Sequence, residues 1–159
     1  MRRAIPIFLI AAALAGCSTP YQDMGFTGGV SAQQLTSDTF RIQARGNSYT
    51  SGTAVQDYLM VKAAETTVKN GGTHFAVVSA ENASSTSQIV TGGTARTEFY
   101  GNTAVTRYTP PVATNVFKPG QDAYIRVLKI PQGQQPPAGA ISAAEILQYV
   151  GPRVLNQKG

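Results

Sequence analysis

The chain has 159 residues and a formal charge of +5 at pH 7, from 13 Lys and Arg against 8 Asp and Glu. Its basic residues, among them Arg41, Arg45, Lys62, Lys69, Arg96, Arg107, Lys118, Lys129 and Arg153, are scattered without a block, so the footprint of a nucleic-acid binder is missing and no nucleic acid is expected as a partner. One cysteine and one histidine leave no intramolecular disulfide and only oxygen ligands for a metal, without an Asp-rich loop to supply them, so no cofactor is expected.

Residues 1–16 read as a signal peptide. Arg2 and Arg3 form a basic head, Ala4 to Gly16 an uncharged apolar run, and Cys17 closes it before Ser18-Thr19-Pro20. As a helix, Ala4 to Cys17 is about 21 Å long, too short for a hydrocarbon core roughly 30 Å thick. Leu14-Ala15-Gly16-Cys17 resembles the lipobox of bacterial lipoproteins, in which small residues admit the signal peptidase and the thiol accepts the lipid. The resemblance implies cleavage before Cys17, a diacylglyceryl group on its sulfur and an acyl chain such as palmitate on the new amine. The alternative is an ordinary cleaved signal with an incidental cysteine. A single acyl chain holds a protein only marginally at a bilayer and several hold it stably, so the implied membrane tie is lipid. Ser18 after the cysteine favours the outer membrane, facing the periplasm.

Residues 17–37 follow as a lipidated N-terminus and flexible tether. The stretch "STPYQDMGFTGGVSAQQLTS" is polar and glycine-bearing, with Tyr21, Met24 and Phe26 among its large apolar groups. A single domain is expected over 38–155. In "TFRIQARGN", Phe40, Ile42 and Ala44 alternate with Arg41, Gln43 and Arg45, the period of a strand with one covered face. Thr53 with Gln56 makes a capping box, and Asn70-Gly71-Gly72 a stop, for an amphipathic helix. Tyr58, Val61, Ala64 and Val68 share one face of that helix, while Val55 and Leu59 on another side imply contact with two surfaces. "HFAVVSA", 74–80, reads as an interior strand. Strand, helix, strand suggests a right-handed parallel crossover, with antiparallel pairing of the two strands through a longer path as the alternative.

Residues 81–121 form a Gly/Ser/Thr-rich insertion. "ENASSTSQIVTGG" argues for loop, whereas "TARTEFYGNTAVTRYT" alternates around Gly101-Asn102 and predicts a hairpin. Such a hairpin, rich in Thr, Tyr and Phe, is either a partner surface or a solvated insertion. "DAYIRVLKIP", 122–131, is a strand ended by Pro131. "ISAAEILQYVGP" is a short helix with a capping box at Ser142 and Glu145, a stop at Gly151-Pro152, and Ile146, Leu147 and Val150 inward. The expected fold class is α+β, a two-layer sandwich: a small mixed sheet of 3–5 strands with two helices on one face, in the order β-α-β-hairpin insertion-β-α.

Taken together, "RIQARGNSYTSGTAVQDYLMVKAAETTVKNGGTHFAVV", the upstream lipobox and "AYIRVLKI" with a short helix downstream resemble an uncharacterised family of small alphaproteobacterial lipoproteins. Arg45-Gly46-Asn47, Asp57-Tyr58, Lys62-Ala63-Ala64-Glu65 and Gly71 carry the likeness, which covers 39–80 well and the rest loosely. It implies location and fold rather than a task. Thr66 departs from the leucine common at that place.

Catalysis has little support. His74 stands at a strand start with no nucleophile motif to pair with, and Asp57 and Glu65 are some 12 Å apart along their helix. The remaining acids, Asp23, Asp38, Glu81, Glu98, Asp122 and Glu145, form no close pair in sequence. "GNSYTSGT" between strand and helix echoes a phosphate loop, but Gly46 and Gly52 are wrongly spaced and the lysine is missing, so Arg45 and Asn47 are read as shaping the turn. The expected function is a non-catalytic, lipid-anchored envelope interaction or assembly module, docking on another envelope protein or on peptidoglycan. A periplasmic small-ligand or cell-wall binding module is the alternative.

Overall fold

A computed structural model describes residues 18–155. In chain order their elements are β1 (Gly29–Gln34), β2 (Thr39–Arg45), α1 (Gly52–Lys69), β3 (His74–Asn82), β4 (Ser85–Thr91), β5 (Thr94–Tyr100), β6 (Thr103–Thr109), β7 (Val112–Lys118), β8 (Gly120–Leu128), β9 (Ala140–Ser142), α2 (Ala143–Tyr149) and α3 (Gly151–Leu155). The class is α+β, and the described chain divides into two units: residues 85–117, and the residues on either side of them.

The larger unit is built on a five-stranded sheet in the order β1-β2-β8-β3-β9, with every neighbouring pair antiparallel. The expected mixed sheet is therefore corrected. β2 and β3 do run in the same direction, as a crossover through α1 requires, but β8 lies between them and pairs with both. The reason lies in its side chains. Ala123, Ile125 and Val127 of β8 are all buried, and an edge position would leave part of that apolar surface in water. Phe40, Ile42 and Ala44 of β2 sit opposite Ile125, Ala123 and Gln121, so the period-two pattern of β2 marks the covered face as the sequence predicts.

α1 packs against that face through Val55, Tyr58, Leu59, Val61, Ala63, Ala64, Thr66 and Thr67. Burial of both Val55 and Leu59 meets the expected contact with two surfaces. Each fully buried residue of the Val, Leu or Phe kind contributes about 1.5–3 kcal/mol. The N-cap is Ser51 rather than Thr53: Ser51 keeps an extended backbone and its Oγ accepts from the Ala54 N–H at 3.1 Å. Thr53 already lies inside the helix, where its hydroxyl has no capping role. Val68 is exposed. Thr66 and Thr67 are buried beside it, their hydroxyls donating to the Lys62 and Ala63 carbonyls at 2.7 and 2.8 Å, so no donor is lost. Gly71, with φ of +70°, ends the helix in the left-handed conformation that favours glycine.

Two further boundaries differ from expectation. β3 extends to Asn82 and is bulged between Val77 and Ser79. It is buried only near its start, where short β9 covers its other edge. α2 ends at Tyr149 with Val150 as its cap, directly before Gly151-Pro152 as expected, but the same pair also opens a further helix, α3, because proline near a helix start gives up an N–H that has no partner there. Ser142 caps α2, accepting from Glu145 N–H at 3.3 Å.

The smaller unit, 85–117, holds two ribbons. β5 and β6 pair from Thr94↔Thr109 to Tyr100↔Thr103 around Gly101-Asn102, the expected hairpin. Much of "ENASSTSQIVTGG", read as loop, is instead strand: the end of β3 and all of β4, which pairs with β7. Threonine and serine suit a pleated backbone even in water, and the Thr97 and Thr106 hydroxyls meet across the hairpin at 2.9 Å.

Candidate functional site

The lipobox residues Leu14, Ala15 and Gly16 and the acceptor Cys17 lie outside the described residues. What the structure describes is the segment that follows them, and it is not a free tether. Thr19, two residues after Cys17, is wholly buried. Its N–H donates to Thr50 Oγ1 at 2.9 Å, its hydroxyl donates to the Thr27 carbonyl at 2.7 Å and accepts from the Asn47 N–H at 2.9 Å, and its carbonyl accepts from Tyr58 OH at 2.8 Å. Every polar group of Thr19 therefore has a partner within the domain, as a buried threonine requires.

The clasp continues along the segment. The Tyr21 ring meets Tyr58 edge-on at 5.7 Å and its hydroxyl donates to Glu65 Oε2 at 2.7 Å. Burial, then that hydrogen bond and the Glu65 charge, push the Tyr21 phenol far above its ordinary range. Met24 N–H donates to the Val30 carbonyl and Val30 N–H to that of Gln22. Gly28 turns the chain at φ +105°, where an added Cβ would stand 2.5 Å from the Arg45 carbonyl oxygen. The chain then enters β1 against β2, with Val30 buried opposite Ala44. Sequence reading missed this because one buried valine in a Gly- and Gln-rich stretch gives no period, while β2 supplies the backbone partners.

The loop that receives Thr19 is the one that echoes a phosphate loop. Asn47 Oδ1 accepts from Tyr49 N–H and Thr50 Oγ1, each at 3.0 Å, so Asn47 shapes the turn as expected. Arg45 has another task. On the sheet face opposite the helices, buried Asp122 receives Arg41 Nη2 at 2.7 Å and Gln43 Nε2 at 3.2 Å on Oδ2, and Arg45 Nη1 lies 2.5 Å from Oδ1 as a charge contact, not an aligned hydrogen bond. Arg45 also donates to the Ala44 and Gln121 carbonyls. Burial opposes ionisation of Asp122, but the Arg45 guanidinium beside it and the hydrogen bonds from Arg41 and Gln43 outweigh it and hold the carboxyl below its ordinary value. This cluster locks the register of β2 on β8.

An open groove of about 610 Å³ runs between β1 and α1, lined in part by Val30, Phe40, Lys62, Glu65, Lys69 and Asn70. Its size falls within the range of small-molecule sites. His74 begins β3 and its Nδ1 lies 3.0 Å from Thr73 Oγ1. Asp57 pairs with Arg153 at 3.0 Å, and Glu65 holds Tyr21, so the two helix acids serve separate structural contacts. Among the described residues no three His, Cys, Asp or Glu side chains converge on a metal site, and no helix is long and apolar enough to cross a membrane. Comparison of the chain with protein-family models, curated proteins and solved structures finds no match.

Proposed function

We propose that the chain is a lipid-anchored bacterial cell-envelope protein, held through acylated Cys17 at the outer membrane facing the periplasm, and that it works as a non-catalytic interaction or assembly module. In this reading α1, α2 and α3 form one layer and the five-stranded sheet the other of a two-layer sandwich, and the 85–117 unit is the docking element. One observation carries it: that unit turns large apolar side chains to water, with Phe99, Tyr108 and Tyr100 at 76%, 68% and 63% exposure. Its strands are paired only two by two. Two-stranded ribbons are marginal by themselves, and open strand edges beside exposed aromatics are what a partner strand or surface completes.

The experiment is photo-cross-linking in living cells from a probe at Tyr100. A discrete protein or peptidoglycan adduct supports docking; a probe that captures neither refutes it. Anchoring is read separately, from the mass of the Cys17 peptide and from loss of membrane partitioning in Cys17→Ser. The groove between β1 and α1 favours a second reading, a small-ligand or cell-wall binding module, for which saturable thermal stabilisation by an envelope ligand would be the signature.

A further inference from the structure

We infer that the clasp on Thr19 makes the lipid anchor an orienting one, and that Phe26 and Tyr49 enter the interfacial layer of the bilayer beside it. Resting on the acylation of Cys17 proposed here, the inference follows from reach. Two residue steps span at most about 7 Å, so the Cys17 backbone lies within that reach of Thr19 and its lipid chains begin only a few bonds beyond. Thr19 cannot move away from the domain to let it float free, because all four of its polar contacts are to residues of the domain. The residues that hold it are then at headgroup level.

Two of those residues are each preceded by an exposed aromatic. Thr27, whose carbonyl accepts from Thr19, follows Phe26, and Thr50, whose hydroxyl accepts the Thr19 N–H, follows Tyr49. Phe26 is fully exposed and Tyr49 is 73% exposed. Phe26 rides on a tight turn closed by Gly25 N–H to the Gly28 carbonyl at 3.0 Å, and Tyr49 on the turn that Asn47 closes, so both are presented on short, braced loops. A benzyl ring and a phenol, one apolar and one amphipathic, are the side chains that partition to the boundary between headgroups and acyl chains. Asp23, near Phe26 in sequence, is paired with Lys62 Nζ at 3.5 Å.

The chain contains no tryptophan, so Phe26→Trp, Tyr49→Trp and, as reference, Leu35→Trp each carry a sole fluorescent reporter. Leu35 follows β1 at the far end of the β1–β2 hairpin, about 20 Å from the Arg45 end at about 3.3 Å per residue. All three sites are exposed, and circular dichroism checks that each variant folds. The full acylated chain is reconstituted into phosphatidylethanolamine and phosphatidylglycerol vesicles with brominated acyl chains. F26W and Y49W should shift to the blue and be quenched several-fold more than L35W. Equal quenching at all three sites, in protein that floats with vesicles and whose Cys17 is acylated by mass spectrometry, overturns the inference. A bare Cys17 overturns the anchoring itself, an outcome the mass measurement distinguishes.

Discussion

Thr19→Val keeps the shape of a buried side chain and removes only its hydroxyl, which both donates to the Thr27 carbonyl and accepts from the Asn47 N–H. Two neutral hydrogen bonds of about 1 kcal/mol each are lost, and each group stripped of that partner in a buried setting costs about 1–3 kcal/mol where water does not replace it. The expected destabilisation is about 2–4 kcal/mol. For a chain of this size about 1 kcal/mol moves Tm by roughly 3–4 °C, so the variant should melt about 10 °C lower. The assay is thermal unfolding of the full chain in detergent, followed by circular dichroism, with limited proteolysis reporting cleavage between Ser18 and Gly28. A free tether would behave differently, since its residues contribute nothing to the fold. A Tm within about 2 °C of the parent, under about 0.5–1 kcal/mol, together with unchanged proteolysis, would refute the clasp.

Acid should weaken the protein partly through Asp122: its folded carboxyl titrates below the ordinary value of about 3.9, so its stabilisation is full above that value and is lost as pH falls through the depressed one. Urea unfolding between about pH 7 and 3 should therefore show a shallower acid slope in Asp122→Asn than in the parent, and parallel slopes would contradict the Arg41 and Arg45 pairing. Gly28→Ala should cost about 2 kcal/mol or more, because it meets the Arg45 carbonyl at a positive φ, while Gly52→Ala, with nothing near its added Cβ and a place in the first turn of α1, should be neutral or slightly stabilising. Joining Ser84 to Lys118 with a short turn should leave Tm within a few degrees, since the Ala83 N–H and the Gly120 carbonyl already bond at 2.9 Å and bring the ends together. A collapse of the melting transition would show that 85–117 supports the larger unit.

What the sequence made legible are the elements whose patterns are local. β2 shows its period over six residues, and the β5–β6 hairpin announces itself through Gly101-Asn102 and the alternation around it. α1 is recognisable through its apolar positions and its Asn-Gly-Gly stop, although the choice of Ser51 over Thr53 as cap depended on which residue kept an extended backbone. The two polar centres were not legible for a common reason. Asp122 is one acid at the start of a strand, and its partners Arg41 and Gln43 lie 81 and 79 residues away. Thr19 is one threonine in a polar stretch, held by residues 31 and 39 positions on. No spacing rule links such pairs, because the sheet order that brings them together comes from burying β8.

The clasp changes how the anchored domain would search for a partner. A flexible segment of about 20 residues gives a root-mean-square reach of about 25 Å, whereas a clasp at Thr19 limits the reach from Cys17 to two residue steps, about 7 Å. If Cys17 carries the lipid as proposed, the larger unit would keep rotation about the membrane normal and lose most tumbling, so a partner held in the same membrane would meet a nearly fixed face of that unit and less orientational freedom would remain to be lost on docking. Inserting a Gly/Ser linker of about 20 residues between Ser18 and Thr19 separates this effect from folding: Ser18 keeps its place after the cysteine, the clasp is untouched, and only the reach changes. The expected result is an unchanged Tm with Phe26→Trp and Tyr49→Trp no longer quenched more than Leu35→Trp. Quenching that survives the insertion would mean that orientation does not come from the short reach to Cys17, and that the clasp serves stability of the α1–β2 edge alone.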